Sequence, residues 1–170
     1  VGQFAKLIGC STVGIAGSEE KCDQVSERLG FDSAVSYRSE NFRKELKEAC
    51  LKGVDIYFDN VGGHVLDTVM AQLKEGARIA LSGAISEYEG EVEPLFNSYE
   101  LVTKRVRMEG FMVTDHVEDF PAILKALQNR LADGTLKSFE QIYSGLSETP
   151  RAFCDMMHGA SRGKCLVGLD

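Results

Sequence analysis

No C-x-x-C pair occurs among the five cysteines, which stand at 10, 22, 50, 154 and 165, and their odd number leaves no complete disulfide framework. They read as free, partly buried thiols of a reducing compartment rather than as zinc ligands. The three histidines, His64, His116 and His158, share no metal-ligand spacing and neighbour no Ser or Cys nucleophile motif, which leaves them helix-surface or capping roles. G-x-S-x-G, the P-loop and H-E-x-x-H are all missing, so serine-hydrolase, P-loop and zinc-protease chemistry have no carrier. Positive charge is scarce. Nineteen Lys and Arg against 26 Asp and Glu give a net charge of −7, which argues against nucleic acid or anionic lipid as a partner. The short basic cluster of Lys104, Arg105 and Arg107 reads as a solvated helix end. Apolar runs extend only a few residues, far below the ~20 of a membrane helix, and no charged-then-apolar leader opens the chain. A cytoplasmic location is the expectation.

The chain does contain an ordinary globular composition, 44% hydrophobic and 26% charged over 170 residues, enough for about one domain. Short β-branched runs alternate with helical stretches, and glycines mark the joins. Helices are expected over 1–8, 19–29, 42–51, 64–73, 99–105 and 151–158, and strands over 12–16, 34–37, 54–59, 78–81, 106–113, 139–143 and 164–169. The strongest helix runs from Val117 to Leu131, with Phe120, Ile123, Leu124 and Leu127 on one apolar face and Asp133-Gly134 as its stop. Residues 86–97 have no period and form a long loop, a length associated with function or mobility. Repeated alternation of strand and helix implies an α/β doubly wound parallel sheet. Such sheets bind ligands beyond the carboxyl ends of their strands, so the informative residues follow each strand.

The first strand ends in Gly17-Ser18, small and uncharged, where a fold selecting NAD places an acid for the ribose 2′-hydroxyl. That leaves room for a 2′-phosphate. Ser18 is a good N-cap, and Lys21 stands in the first turn, either facing an anion or solvated beside Glu19 and Glu20. Tyr37-Arg38 ends the second strand, placed either to flank an adenine and its phosphate or to cap the sheet edge. Phe58-Asp59-Asn60-Val61-Gly62-Gly63 lets backbone approach a ligand with no Cβ in the way, and the Asn60 amide suits a ribose diol. Leu81-Ser82-Gly83-Ala84-Ile85-Ser86 repeats the pattern.

These motifs together resemble the zinc-independent medium-chain dehydrogenase/reductases. The resemblance rests on Val-Gly-Gln-Phe-Ala-Lys at the start, Gly14 to Ser18 with Lys21, Leu29-Gly-Phe-Asp32, Gly53 to Gly63, Gly83 to Ser86 with Tyr88, and Met108-Glu-Gly-Phe111. Within that superfamily the pair Phe-Asp-Asn-Val-Gly-Gly and Gly-Ala-Ile-Ser-x-Tyr is similar to the prostaglandin reductase branch, also known as leukotriene B4 12-hydroxydehydrogenases or NADP-dependent alkenal reductases. The resemblance implies NADPH as cofactor, no metal, and hydride delivery to the β-carbon of an α,β-unsaturated ketone or aldehyde. It assigns Ser18, Lys21 and Tyr37 to the 2′-phosphate and adenosine end, Asn60 to a ribose, and Ser82, Gly83, Ala84, Ile85, Ser86 and Tyr88 to the nicotinamide side. Phe111, Met112 and Val113 correspond to backbone contacts with the carboxamide. Tyr88 corresponds to the catalytic tyrosine, a donor to the nicotinamide ribose or the substrate carbonyl.

Two departures stand out. The family has Gly-x-Asn-x-Gly-Lys near its end, with Asn on the cofactor; here Gly159-Ala-Ser161-Arg-Gly-Lys164 puts a shorter serine there. The family also carries a substrate domain, a first strand and a glycine-rich turn before the residues matching Val1. The expectation is therefore a Rossmann-type sheet lacking its first strand and glycine-rich turn. Residues 1–135 form a partial NADP-binding domain, and 136–170 return toward a substrate domain, so that the piece lacks turnover by itself. The strand at 106–113 lies at the sheet edge in the family and pairs with its copy, implying a homodimer. A methyltransferase-type Rossmann domain, which would want an acid where Gly17-Ser18 stands, and a non-catalytic nucleotide-binding paralogue are the rival readings.

Overall fold

The computed structural model describes residues 1–88 and 92–169. Helix α1 (Gly2–Leu7) leads to β1 (Val13–Ala16), α2 (Glu19–Asp23), β2 (Ser33–Ser36), α3 (Phe42–Ala49) and β3 (Val54–Asp59). Next come α4 (Gly63–Met70), β4 (Leu73–Leu81), α5 (Glu100–Thr103), β5 (Arg107–Gly110) and α6 (Phe120–Ala132). The chain closes with β6 (Glu140–Ser144), α7 (Thr149–Met157) and β7 (Lys164–Gly168). All strand pairs are parallel: β1 with β2, β3 with β4, β4 with β5, and β6 with β7. The α/β class and the parallel sheet are as the sequence implies.

The sheet is in pieces. β1 and β2 form one ladder and β3-β4-β5 another, with no hydrogen bonds joining β1 to β3. That break falls where the expected sheet lacks its first strand. The two pieces are held by one shared core, in which Val35 of β2, Phe42 and Leu46 of α3, and Ile79 of β4 pack with α4 residues Val65 and Met70. Helix α3 is amphipathic, with Phe42 and Leu46 one turn apart facing inward and its charges outward. Helix α4 is buried on nearly every side, as an almost uncharged apolar helix must be.

Several expected boundaries move. The helix expected to reach Leu73 stops at Met70, because Leu73 pairs with Val54 and opens β4 five residues early. β5 keeps only Arg107–Gly110 of the expected 106–113: Phe111 still donates to the Leu81 carbonyl (3.1 Å), and a 3₁₀ turn begins at Val113. The helix expected over 19–29 is α2 continued by a wide π turn over 24–28. Helix α6 forms and stops at Asp133-Gly134, with Gly134 at φ +76°. Its apolar face is not core, however, since Ile123, Leu124 and Leu131 are exposed.

The C-terminal β6-α7-β7 unit is tied to α1 by reciprocal bonds between the Gln3 side chain and the Lys137 backbone, both 2.9 Å. Asp32 makes the other long tie of the N-terminal half: it accepts from the Thr12 N–H at 2.8 Å and pairs with Lys6, joining α1 to the starts of β1 and β2. The Lys6 hydrogen bond and then the Thr12 N–H hold its carboxyl below the usual range. A carboxyl depressed on folding contributes stability that is present above the unfolded value of about 3.9 and is lost as pH falls through the lower folded value. Urea titrations at stepped pH will therefore show the acid-side loss shallower in Asp32→Asn than in the wild type; parallel curves would refute the assignment.

Candidate functional site

Because the strands are parallel, their carboxyl ends lie on one edge. The registers align Ala16 with Ser36, and Asp59 with Leu81 and Gly110. The residues after them form a row: Gly17-Ser18, Tyr37-Arg38, Asn60 to Gly63, Ser82 to Tyr88, and Phe111 onward.

The β3 and β4 ends are locked together. Asp59, 1% exposed, accepts from the N–H of Val61 at 2.9 Å and of Gly62 at 3.2 Å, and from the Tyr57 hydroxyl at 2.9 Å. Burial, and then the neighbouring Asp59 charge, push the Tyr57 phenol far above its ordinary value, so it serves as a neutral donor. This carboxylate shapes the turn Asn60–Gly63, in which Gly62 and Gly63 take φ of +74° and +51°. The second turn leans on the first. Ser82 donates its N–H to the Asp59 carbonyl at 2.8 Å, Ile85 to the Asn60 carbonyl at 3.1 Å, and the Ser86 hydroxyl to the Val61 carbonyl at 2.6 Å. Gly83 lies against the Asn60 backbone, where an added Cβ would come within 3.4 Å of its carbonyl oxygen. The Asn60 side chain is left at the surface, and Tyr88 is 69% exposed at the end of a 3₁₀ turn that also holds Ile85 and Ser86.

At the β1 end Ser18 is the N-cap of α2, its hydroxyl accepting from the Lys21 N–H at 3.3 Å. Tyr37 reaches across to the same place: a Cβ on Gly17 would come 3.0 Å from its hydroxyl. The ring of Tyr37 carries the Arg38 guanidinium at 5.9 Å and meets His64 edge-on at 6.0 Å. Lys21 does more than the sequence reading anticipated. Its ammonium donates to the carbonyl of Gly159 at 2.6 Å, which brings the turn containing Ser161 onto the first turn of α2 from 138 residues away.

At the other end of the row Phe111 stacks obliquely on Phe58 at 6.0 Å, while Met112 and Val113 are exposed. The Met112 N–H is engaged by the Asp115 carboxylate at 2.9 Å and that of Phe111 by the Leu81 carbonyl at 3.1 Å, while the Met112 carbonyl accepts from the Asp115 N–H at 3.0 Å.

Sequence reasoning missed the residues that hold the loop over 86–97. Glu93 accepts from the His64 N–H at 2.6 Å at the start of α4, and a Cβ on Gly63 would come 2.7 Å from that carboxylate. Asn97 makes three hydrogen bonds to Asp67, two with its carboxylate at 2.7 Å and one with its carbonyl at 3.1 Å. Only the buried acid on an apolar helix, Asp67, carried a signal in the sequence. Glu89, Gly90 and Glu91, within the expected loop, lie outside the described residues.

Among the described residues no group of three or more His, Cys, Asp or Glu could hold a metal ion, and no helix is long and apolar enough to cross a membrane. Residues 1–129 match the family model described as zinc-binding dehydrogenase. The chain belongs to that family. Its relatives place it with the zinc-independent medium-chain reductases. The chain is 41% identical over 169 residues to the NADP(+)-dependent 2-alkenal reductase of Nicotiana tabacum, covering 98% of this chain and 49% of that protein. It is 38% identical to the (+)-pulegone reductase of Mentha piperita, covering 99% of this chain and 50% of the other. The crystal structure of CurA from Vibrio vulnificus in complex with NADPH superposes with a TM-score of 0.90 at 36% identity, over 100% of this chain and 52% of that one. The chain thus spans about half the length of the proteins it matches.

If Asp59 organises both turns, removing it leaves the Val61 and Gly62 N–H groups without their acceptor. Asp59→Ala is expected to cost about 3 kcal/mol in urea unfolding, the scale for stranding buried polar groups; a loss under about 1 kcal/mol would show that the turn holds itself.

Proposed function

We propose that the chain is the cofactor-binding half of an NADPH-dependent reductase of the C=C bond in α,β-unsaturated ketones or aldehydes, closest in its motifs to the prostaglandin reductase branch. In this reading residues 1–135 carry the dinucleotide and 136–170 lead back to a substrate domain contributed by the rest of the enzyme. The observation that carries it is the row of strand ends: small residues and glycines where a dinucleotide would lie, with Tyr37 beside Gly17 and Lys21 in the first turn of the helix that Ser18 caps. The 2-alkenal reductase is named as NADP(+)-dependent and CurA is in complex with NADPH, which supports the same cofactor.

The residues fit such a group. Gly17, lacking a Cβ, keeps the Tyr37 hydroxyl accessible beside Ser18 and Lys21, a donor set suited to a phosphate and not to a bare ribose diol. Asn60 would hold a ribose. Ser82 to Ser86 and Phe111 to Val113 would flank the nicotinamide, and Ser161 would reach the cofactor from the 159–163 turn. The bound dihydronicotinamide supplies a hydride to the β-carbon, leaving an enolate that takes a proton at the α-carbon. Tyr88 would donate to the carbonyl oxygen or the adjacent ribose, where negative charge develops in the transition state. The turns locked on Asp59 keep that geometry preorganised.

The open edge of β5, where every residue from Arg107 to Gly110 is exposed, is the surface proposed to pair with a second copy. The enzyme would work in the cytoplasm as a homodimer, and sedimentation at micromolar concentration should return twice the monomer mass; a monomer mass would refute the pairing.

Tyr88→Phe in the complete enzyme should lower kcat by about tenfold to a hundredfold, with the dissociation constant of NADPH changed less than threefold, because a transition-state donor and not a binding group is removed. An unchanged kcat would sink the catalytic role. Lys21→Met should shift the NADPH-to-NADH ratio of kcat/KM toward NADH by at least tenfold; equal use of both coenzymes by the wild type would sink the cofactor assignment.

A further inference from the structure

The first turn of α2 is gripped at two points by the turn that follows α7. Lys21 donates to the Gly159 carbonyl at 2.6 Å, and the Arg162 guanidinium meets the Glu20 carboxylate at 2.6 Å. The second cation therefore stands beside the residue that precedes Lys21, although 142 positions separate them in sequence. Its backbone is built into place. The Arg162 N–H donates to the Gln141 side chain at 2.8 Å, and the next residue, Gly163, has φ +87° and lies so close to Phe139 that a Cβ would come 2.3 Å from its carbonyl. The side chain itself is free to move: it is 58% exposed and lines an open cleft of about 570 Å³ beside α2.

We propose that Arg162 is a second specificity-determining cation for the cofactor's 2′-phosphate, held beside the site by Glu20 until the phosphate arrives. The inference rests on the 2′-phosphate reading of Lys21 given above. An exposed Arg–Glu pair is weak because solvent screens it, whereas a guanidinium on a phosphate forms short, charge-assisted and often bidentate bonds. The exchange of Glu20 for a phosphate dianion is therefore downhill. Ser161, the neighbour of Arg162, would touch the cofactor only where it comes close to a backbone anchored on the Asp155 carbonyl at 3.2 Å, so the longer polar reach of this turn belongs to Arg162. Lys21 contributes alongside, because one ammonium proton serves Gly159 and two remain for the ligand. Glu20 sets the reserve: its charge keeps the guanidinium near in the empty protein and disfavours an anion by the same charge.

Calorimetric binding of adenosine 2′,5′-bisphosphate and of 5′-AMP to the complete enzyme tests this without turnover. Arg162→Gln should weaken the bisphosphate about tenfold and leave 5′-AMP within twofold, the scale of one hydrogen bond to a charged group. Arg162→Lys should recover part of the loss, and Glu20→Gln should tighten the bisphosphate. A wild-type preference for the bisphosphate that Lys21→Met abolishes and Arg162→Gln leaves intact would overturn the role of Arg162 while preserving the cofactor reading. Equal loss of both nucleotides in Arg162→Gln would reveal a structural residue and overturn it too. A wild type that binds both nucleotides equally would overturn the 2′-phosphate reading itself, and this inference with it.

Discussion

A single buried carboxylate organises the ligand-facing edge of this molecule. Asp59 ends β3 inside the protein, and a charge in that position persists only when its oxygens are saturated by donors. The donors it collects are the N–H groups of Val61 and Gly62 and the Tyr57 hydroxyl. Satisfying them forces the chain into the left-handed turn at Gly62-Gly63, which starts α4 and exposes the Asn60 side chain. The Ser82–Ser86 turn then takes its shape from the first, through the carbonyls of Asp59, Asn60 and Val61. Backbone placed this way needs no further ordering when a ligand arrives, which is where preorganisation lowers the cost of binding.

The split sheet shows what carries the load where a ladder is absent. β1-β2 and β3-β4-β5 share no backbone hydrogen bonds, so their relative placement depends on side chains from α3 and α4. Phe42 and Leu46 cover β2 from one helix, and Val65, Val69 and Met70 meet them from the other. Full burial of each such side chain stabilises by about 1.5–3 kcal/mol, comparable with several backbone hydrogen bonds after solvent exchange. Within this chain the two ladders are thus joined through side chains of α3 and α4.

Element identity was readable wherever local pattern and burial agree. The run Val54–Asp59 is apolar, short and bounded by glycines, and it is a strand at the expected limits. Strand ends adjoining turns were equally legible, and Ser18, Tyr37, Asn60 and Ser82 do stand just after strands as their position in the sequence implies. The boundary at Leu73 was not legible, because a leucine after a helix favours either continuation or a strand, and its pairing with Val54 is a tertiary choice. The face of α6 was recognised as apolar, yet periodicity says nothing about whether a partner is present to bury it. Contacts between distant segments were invisible for the same reason: neither Lys21 with Gly159 nor Glu93 with His64 has any local signature.

The proposed binding of a phosphorylated nucleotide by a chain of net charge −7 looks contradictory at first. The long-range field opposes the approach of an anion, and at physiological ionic strength it fades over about 8 Å. Contacts at hydrogen-bond distance are governed by the groups within that radius, among them the Lys21 ammonium and the Arg162 guanidinium that pairs with Glu20. Affinity and selectivity are then local properties, while overall charge acts on the rate of encounter. Selection of a phosphorylated over an unphosphorylated ribose in such a protein depends on one or two positioned cations, and a modest change in the turn at 159–163 is enough to retune it.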